Sequence, residues 1–299
     1  MNTEPEQMFA KRTYAIGLIS ILIFIAGCSS VPVANYQALQ KSSATVLTNT
    51  TETFTRIEKM QQHYEVVVSP NSQITPDSFD PPVIAGLPTD IIPELRFREM
   101  ALTTLVKYID VLAAFSEKDY ATAVDKASVE LAGSLKNLGT ASKVLSAADA
   151  KNVGGIFATI VDVIGQEVVR EKRVAALKSV MHNSQNDIKA LADLMAHDNE
   201  KIAALVDNML ARIVAHANQD RPPFGTAARI DFDERISLQI CEAKAIKESL
   251  KSISAAILQI PKAHQEIQDI LGKKPSNFDA LESLVQEAQR ANSFYRDLK

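Results

Sequence analysis

Histidine, cysteine and carboxylate side chains are the groups with which this chain could do acid–base, nucleophilic or metal chemistry. The 299 residues include five histidines, and no two of these stand four apart, the spacing that places two imidazoles on one helix face. The sequence also lacks His-Glu-x-x-His, Glu-x-x-His, Cys-x-x-Cys and Gly-x-Ser-x-Gly patterns, and it has no phosphate-binding loop. We therefore expect no metal site, no cofactor and no enzymatic activity. The histidines are His63, His182, His197, His216 and His264.

Three polar or reactive positions still require an interpretation. His197 and Asp198 are neighbours on a predicted helix, and we interpret Asp198 as part of a polar seam or solvated face rather than an acid–base pair. Cys241 is one of only two cysteines, and no His/Asp arrangement marks it as a nucleophile. We predict that Cys241 is a small, buried apolar residue; a reactive or intermolecular thiol is the alternative.

The elements that position these residues are predicted to be helices. The chain is 46% hydrophobic but only 6% aromatic, with 10 Gly and no Trp, and Leu, Ile, Val and Ala carry the apolar content. This composition favours helix packing over a β-sandwich or barrel. The net charge of −4 is mild, and no basic patch with interleaved aromatic residues is present, so a nucleic-acid partner is not expected.

The first 28 residues are predicted to contain a targeting signal. Lys11 and Arg12 are followed by an apolar run of about twelve residues, which suits a signal peptide and is too short to span a bilayer. The run ends in Ile25-Ala26-Gly27-Cys28, which resembles the lipobox of bacterial lipoprotein precursors. The resemblance implies that residues 1–27 are removed, that Cys28 is lipidated, and that residues 28–34 tether the chain to a lipid bilayer. Ser29 after the cysteine implies the periplasmic face of the outer membrane.

Helical periodicity runs through most of residues 35–299, which we interpret as one domain. The apolar stripe of the first helix is completed by Ser43, Thr50 and Thr53, a seam made partly of small polar residues. We predict an all-α fold: an elongated antiparallel helical bundle with long coiled-coil-like hairpins. The expected helices are 35–68, 94–115, 117–138, about 149–182, 184–218, 227–260, a shorter one to 272, and 277–298.

Particular residues are predicted to end these helices. A break is expected near Ser116, and Gly139 is expected just past a helix end. Pro261 is predicted to kink or stop a helix because its ring lacks the N–H of an α-helical bond. Asn277 is predicted to cap the last helix.

A proline-punctuated segment, residues 69–93, interrupts the helical pattern and is predicted to be a long loop. Loops of this length inside compact domains are usually functional or disordered. We predict that Phe79, Ile84 and Leu87 contact a protein partner, because prolines limit the freedom that such a loop loses on binding. The alternative is a strap whose apolar side chains seal the bundle.

Residues 153–165 form the most apolar segment after the signal region. Its small residues suit a central helix that packs closely against its neighbours; a concealed segment that enters a membrane is the alternative. Together these features predict a membrane-anchored envelope lipoprotein that acts as a non-catalytic binding or structural scaffold. A helical carrier of an apolar ligand and a membrane-perturbing α-helical protein are the alternatives.

Overall fold

The computed structural model describes residues 31–68, 91–117, 120–141, 173–271 and 277–295. These residues form six α-helices and no β-strand, so the predicted all-α helical bundle is confirmed. Its elongated shape with coiled-coil-like hairpins stays a prediction. The helices are α1 Val33–Val68, α2 Ile92–Ser116, α3 Tyr120–Ala141, α4 Arg173–Gln219, α5 Ala227–Ile270 and α6 Asp279–Ser293.

Side-chain contacts fix the relative directions of the long helices. In three neighbouring helix pairs, residue numbers rise on one helix as they fall on its partner, which identifies antiparallel packing. The bonded pairs are Asp207–Lys247 and Asn199–Ser254 between α4 and α5, Thr53–Ser249 and Arg56–Glu242 between α1 and α5, and Gln40–Asp110 and Thr51–Glu99 between α1 and α2.

Two clusters of buried apolar residues follow one another along the bundle. The proximal core surrounds the first half of α1, where Tyr36 and Leu39 pack with residues of α2 to α6 such as Ile257. The distal core surrounds the second half of α1, and its members include Ile57, Tyr64, Met209 and Ile246. We use proximal for the end of the bundle where α1 begins and distal for the opposite end.

The small polar seam predicted in α1 is buried. Ser43, Thr50 and Thr53 are each at most 1% exposed. Thr53 donates to the Asn49 carbonyl at 2.7 Å and accepts from the Tyr295 hydroxyl at 2.9 Å. The seam therefore lets α6 approach α1 closely. The Thr50 and Thr53 hydroxyls are paired, whereas Ser43 Oγ is buried without a hydrogen-bond partner among the described residues.

Several helix boundaries differ from the predicted ones. Helix α2 does end at Ser116, but α3 continues past Gly139 to Ala141. Helix α4 is continuous through residues 182–184, where two helices were expected. Pro261 lies inside α5, which continues to Ile270, because packing of the buried ring on its neighbours offsets the lost backbone bond. Phe278, not Asn277, occupies the N-cap position of α6 and makes no side-chain cap; the Glu266 carboxylate accepts from the Ala280 and Leu281 backbone instead.

Among the described residues, no helix combines the length and the apolar character needed to cross a membrane.

Candidate functional site

A chain of hydrogen bonds in the bundle interior is the first arrangement with catalytic residue types. The Tyr108 hydroxyl lies 2.5 Å from Ser184 Oγ and 2.9 Å from His264 Nε2. His264 Nδ1 lies 2.5 Å from Gln185 Oε1, and Gln185 Nε2 donates to the Pro261 carbonyl at 2.9 Å. These contacts join α2, α4 and α5, so the chain ties three helices together.

The direction of each hydrogen bond follows from the carbonyl at the end of the chain. Because the Pro261 carbonyl only accepts, Gln185 must direct its amide nitrogen there and its oxygen toward His264. His264 therefore carries its proton on Nδ1 and accepts from the Tyr108 hydroxyl at Nε2. Ser184 then donates toward Tyr108 and shares its proton with the Val180 carbonyl at 2.7 Å.

This interior chain is built for stability rather than for turnover. His264 and Ser184 are each 1% exposed and Tyr108 is fully buried. Burial lowers the pKa of His264 to about 3 and raises the pKa of Tyr108, so both side chains are neutral near pH 7. A substrate has no described access to Ser184, and we assign the cluster to helix–helix locking.

The distal end of the α4–α5 hairpin has a different character. No residue from 218 to 242 is buried, because here the two helices extend beyond most of their described neighbours. We call residues 218–242 the hairpin tip. The turn exposes 94% of Phe224. Gly225 follows it with φ +83°, a left-handed conformation that glycine adopts without strain.

Charged side chains hold this turn in one shape. Arg221 forms two hydrogen bonds with the Asp233 carboxylate, at 2.8 and 2.6 Å, and Arg229 adds a third at 2.9 Å. Arg229 also donates to the Pro222 carbonyl at 2.8 Å, and the Thr226 hydroxyl accepts from the Arg229 backbone as the cap of α5. The two arginines hold the pKa of Asp233 at about 2. The tip therefore presents Phe224 from a preorganised turn.

A groove of about 270 Å³ lies beside the tip, between α1, α4 and α5. We call it the distal groove. Its polar groups include two imidazoles and a guanidinium, and its apolar wall includes an aromatic ring. The residues that define it are His63, His216, Phe232, Arg235, Ile236 and Gln239.

The ends of the predicted partner loop lie at this same end of the bundle. Tyr64, near the end of α1, and Ile91, before α2, both belong to the distal core. The predicted contact residues Phe79, Ile84 and Leu87 lie outside the described residues, as do Cys28 and segment 153–165. Their predicted roles therefore stay predictions, while the points at which residues 69–90 join the bundle are fixed.

Two other sequence-based interpretations can be compared with the structure. Asp198 lies in a seam, where its carboxylate pairs with Arg98 of α2 at 3.1 Å, while the side chain of the adjacent His197 is 62% exposed.

The prediction that Cys241 is buried is wrong, because Cys241 is an exposed free thiol. It lies where α5 has few neighbours, and the buried stripe of α5 begins only at Ala243.

Sequence reasoning recognised the turn between α4 and α5 but missed Phe224 and the distal groove. The Pro-Pro-Phe-Gly sequence could have drawn attention to the aromatic residue. The convergence of His63 with Arg235, which are far apart in sequence, had no such signal. Within the described ranges, no three His, Cys, Asp or Glu side chains lie close enough together to hold a metal ion.

Comparison with known proteins finds no matching family model, no match among curated proteins and no match among solved structures. We therefore classify this protein by its fold alone, as an all-α helical bundle.

Proposed function

We propose that this chain is a membrane-anchored envelope lipoprotein that acts as a non-catalytic scaffold and presents the hairpin tip to a protein partner. The anchor is the acylated Cys28 implied by the lipobox resemblance. The observation that carries the proposal is the clamped turn at Phe224. An aromatic side chain that is 94% exposed on a turn held by three charge-assisted hydrogen bonds suits a binding anchor.

The positions of the anchor and the tip support this arrangement. Cys28 is five residues before the start of α1, and the Tyr36 hydroxyl contacts Met181 of α4 at 3.1 Å. From Met181 to the end of α4 at Gln219 the helix rises about 57 Å. An acylated Cys28 therefore anchors the proximal end, and the tip extends into the space away from the anchoring membrane.

The charges around Phe224 favour a protein partner over a lipid surface. In addition to the clamped Asp233, the hairpin tip carries the acidic residues Asp220, Asp231, Glu234 and Glu242, the last of which pairs with Arg56. Three arginines share this region, and two of them are engaged by Asp233. A tip without excess positive charge has no electrostatic attraction to anionic lipids, whereas one exposed aromatic residue with a mixed polar rim is typical of a protein interface.

The test is site-specific photocrosslinking in the native envelope. A photoreactive phenylalanine analogue replaces Phe224 in one strain and Val129 in the control, because Val129 is a 73% exposed apolar residue on α3. We expect a protein adduct from position 224 and none from position 129. Equal adducts from both positions, or none from position 224, would contradict the role of the tip.

The anchor is tested separately. Growth with a labelled fatty acid should label the wild-type chain and leave Cys28→Ala unlabelled. A Phe224→Ser variant should keep its label and its Tm but lose the crosslinked partner. Retained label in Cys28→Ala would contradict the lipoprotein assignment without bearing on the tip.

A further inference from the structure

The distal groove holds a cation that the rest of the tip does not use. Arg221 and Arg229 are paired with Asp233, but Arg235 forms no ion pair within the described part of the chain. Its guanidinium instead lies 5.9 Å from the centre of the Phe232 ring. This cation–π contact leaves the N–H groups of the guanidinium available for a planar anion.

We propose that the distal groove binds an apolar carboxylate about the size of one amino-acid residue, with Arg235 as its anion anchor. The groove volume of about 270 Å³ lies below the range of drug-sized pockets, about 300–1,000 Å³, and suits such a small ligand. A carboxylate can accept two parallel hydrogen bonds from one guanidinium, which adds orientation to charge attraction.

The opposite wall of the groove supplies a hydrogen-bond acceptor. The amide nitrogen of Gln239 contacts Nε2 of His63, and Gln239 Oε1 is buried with no donor among the described residues. A buried acceptor without a donor is costly, and a ligand N–H would satisfy it. The fitting ligand therefore carries an amide N–H near its carboxylate, as an N-acylated amino acid and the last residue of a peptide both do.

The other residues that line the groove select the side chain and the net charge of the ligand. Ala217, Phe232 and Ile236 provide apolar surface for a hydrophobic side chain. Asp220 contributes a carboxylate to the same groove, which disfavours a dianion such as phosphate by like-charge repulsion. A monoanion with an apolar side chain satisfies both conditions.

Protonation of His63 provides a second measurable signature. Burial, and then the positive charge of Arg235, lowers the pKa of His63. The other titratable or charged groups facing it in the groove are His216 and Asp220 from the end of α4. Because Nε2 of the neutral ring accepts from the Gln239 amide nitrogen, protonation of His63 would turn that amide and remove the acceptor for the ligand N–H. Binding should therefore weaken as the pH falls through the pKa of His63.

The experiment is calorimetric titration of the purified full-length chain with N-acetylphenylalanine and, in parallel, with its amide. We expect the acid to bind at least about tenfold more tightly than the amide, the size of one charge-assisted hydrogen bond. Arg235→Gln should lower the affinity for the acid by a similar factor. Lys244→Gln is the matched control, because it removes an exposed positive charge from the same helix outside the groove. Equal affinity for acid and amide, or for wild type and Arg235→Gln, would overturn the proposal.

Additional variants and ligands serve as controls for this experiment. Arg235→Lys keeps the charge without the planar fork and should bind with intermediate affinity, so the proposal stays testable if Arg235→Gln unfolds. Peptides that end in a free or an amidated phenylalanine identify where the carboxylate comes from. Binding of the free-acid peptide would assign the ligand to a protein C-terminus. If that peptide does not bind while the small acid does, the ligand is a free acid the size of a metabolite. Phe224→Ser should bind the acid normally, so failure of this inference is distinguishable from failure of the proposed function.

Discussion

Two polar clusters of this bundle use similar hydrogen-bonding chemistry in opposite surroundings. The interior chain from Ser184 to Pro261 consists of neutral groups; its links at Tyr108 are buried and its links at Gln185 are partly buried. The clamp at the tip consists of charged groups around Asp233 and is open to solvent. Burial makes the first cluster costly to break, because each orphaned group loses its partner without gaining water. At the tip, water replaces a lost partner, so the clamp governs local shape far more than global stability.

The largest effect is expected from His264→Ala. The substitution leaves a cavity and orphans both Tyr108 and Gln185, and we expect it to lower the free energy of unfolding by about 3 kcal/mol. Chemical denaturation measures this change. His197→Ala, at an exposed position, serves as the control and should change stability by less than about 0.5 kcal/mol. Similar losses in the two variants would remove the distinction between the interior chain and the surface.

The interior chain also predicts how stability depends on pH. The pKa of His264 is about 3 when the protein is folded and about 6.5 in an unfolded chain. As the pH falls, the unfolded state therefore binds a proton at this histidine before the folded state does. The contribution of His264 to the free energy of unfolding is complete above pH 6.5 and decreases as the pH drops toward 3.

Urea denaturation at pH 7 and pH 4.5 tests that sign. Between these values the wild type should lose about 2–3 kcal/mol more than His264→Gln, which has no titrating ring. The carboxylates that titrate in this window are the same in both proteins, so their contribution cancels. Equal losses in the two proteins would show that His264 is not held neutral by burial.

A smaller and local effect is expected at the tip. Asp233→Asn removes the charge that binds Arg221 and Arg229, and the amides of residues 220–230 should exchange hydrogen for deuterium faster. The Tm should change by less than about 2 °C, because the lost bonds are solvent-exposed. Asp231→Asn is the matched control, since Asp231 is an exposed neighbour without an ion pair among the described residues. Unchanged exchange in Asp233→Asn would show that the turn does not depend on the clamp.

The smallest effect is expected from modification of Cys241. An exposed thiol should react with an alkylating reagent in the native protein within about tenfold of its rate in denaturant. The modified protein should unfold at the same temperature as the unmodified one. Strong protection of Cys241, or a large loss of stability on alkylation, would place this face of α5 in an interface.

The bundle was predictable from sequence wherever one helix face meets a continuous core. The stripe of α5 from Ala243 to Ile260 and the polar seam of α1 are examples, because helical spacing alone brings their residues together. The helix ends predicted at Pro261 and Gly139 were wrong, because local preferences do not include the packing that lets a helix continue past these residues. The kink predicted as the alternative at Pro261 stays a prediction.

The candidate sites were much less predictable. Cys241 and Phe224 are exposed only because the α4–α5 hairpin extends past its neighbours, which is a property of the assembled bundle. The interior chain required Tyr108, Ser184 and His264, which are separated by up to 156 residues, to converge. The turn residues around Phe224 were recognisable, but the exposure that makes the phenylalanine informative was not.

The contact between α1 and α6 sets an order of events during synthesis. Asn49 donates to the Ala288 carbonyl at 2.6 Å, and Thr53 accepts from Tyr295, 242 residues further along the chain. The tip, by contrast, is held by contacts no more than 12 residues apart. The hairpin tip can therefore form as soon as its own residues emerge. The Asn49 amide lacks its Ala288 partner until α6 is made. A chain interrupted before residue 279 would therefore carry a finished tip on an incomplete bundle, a state that proteases and chaperones can distinguish from the folded protein.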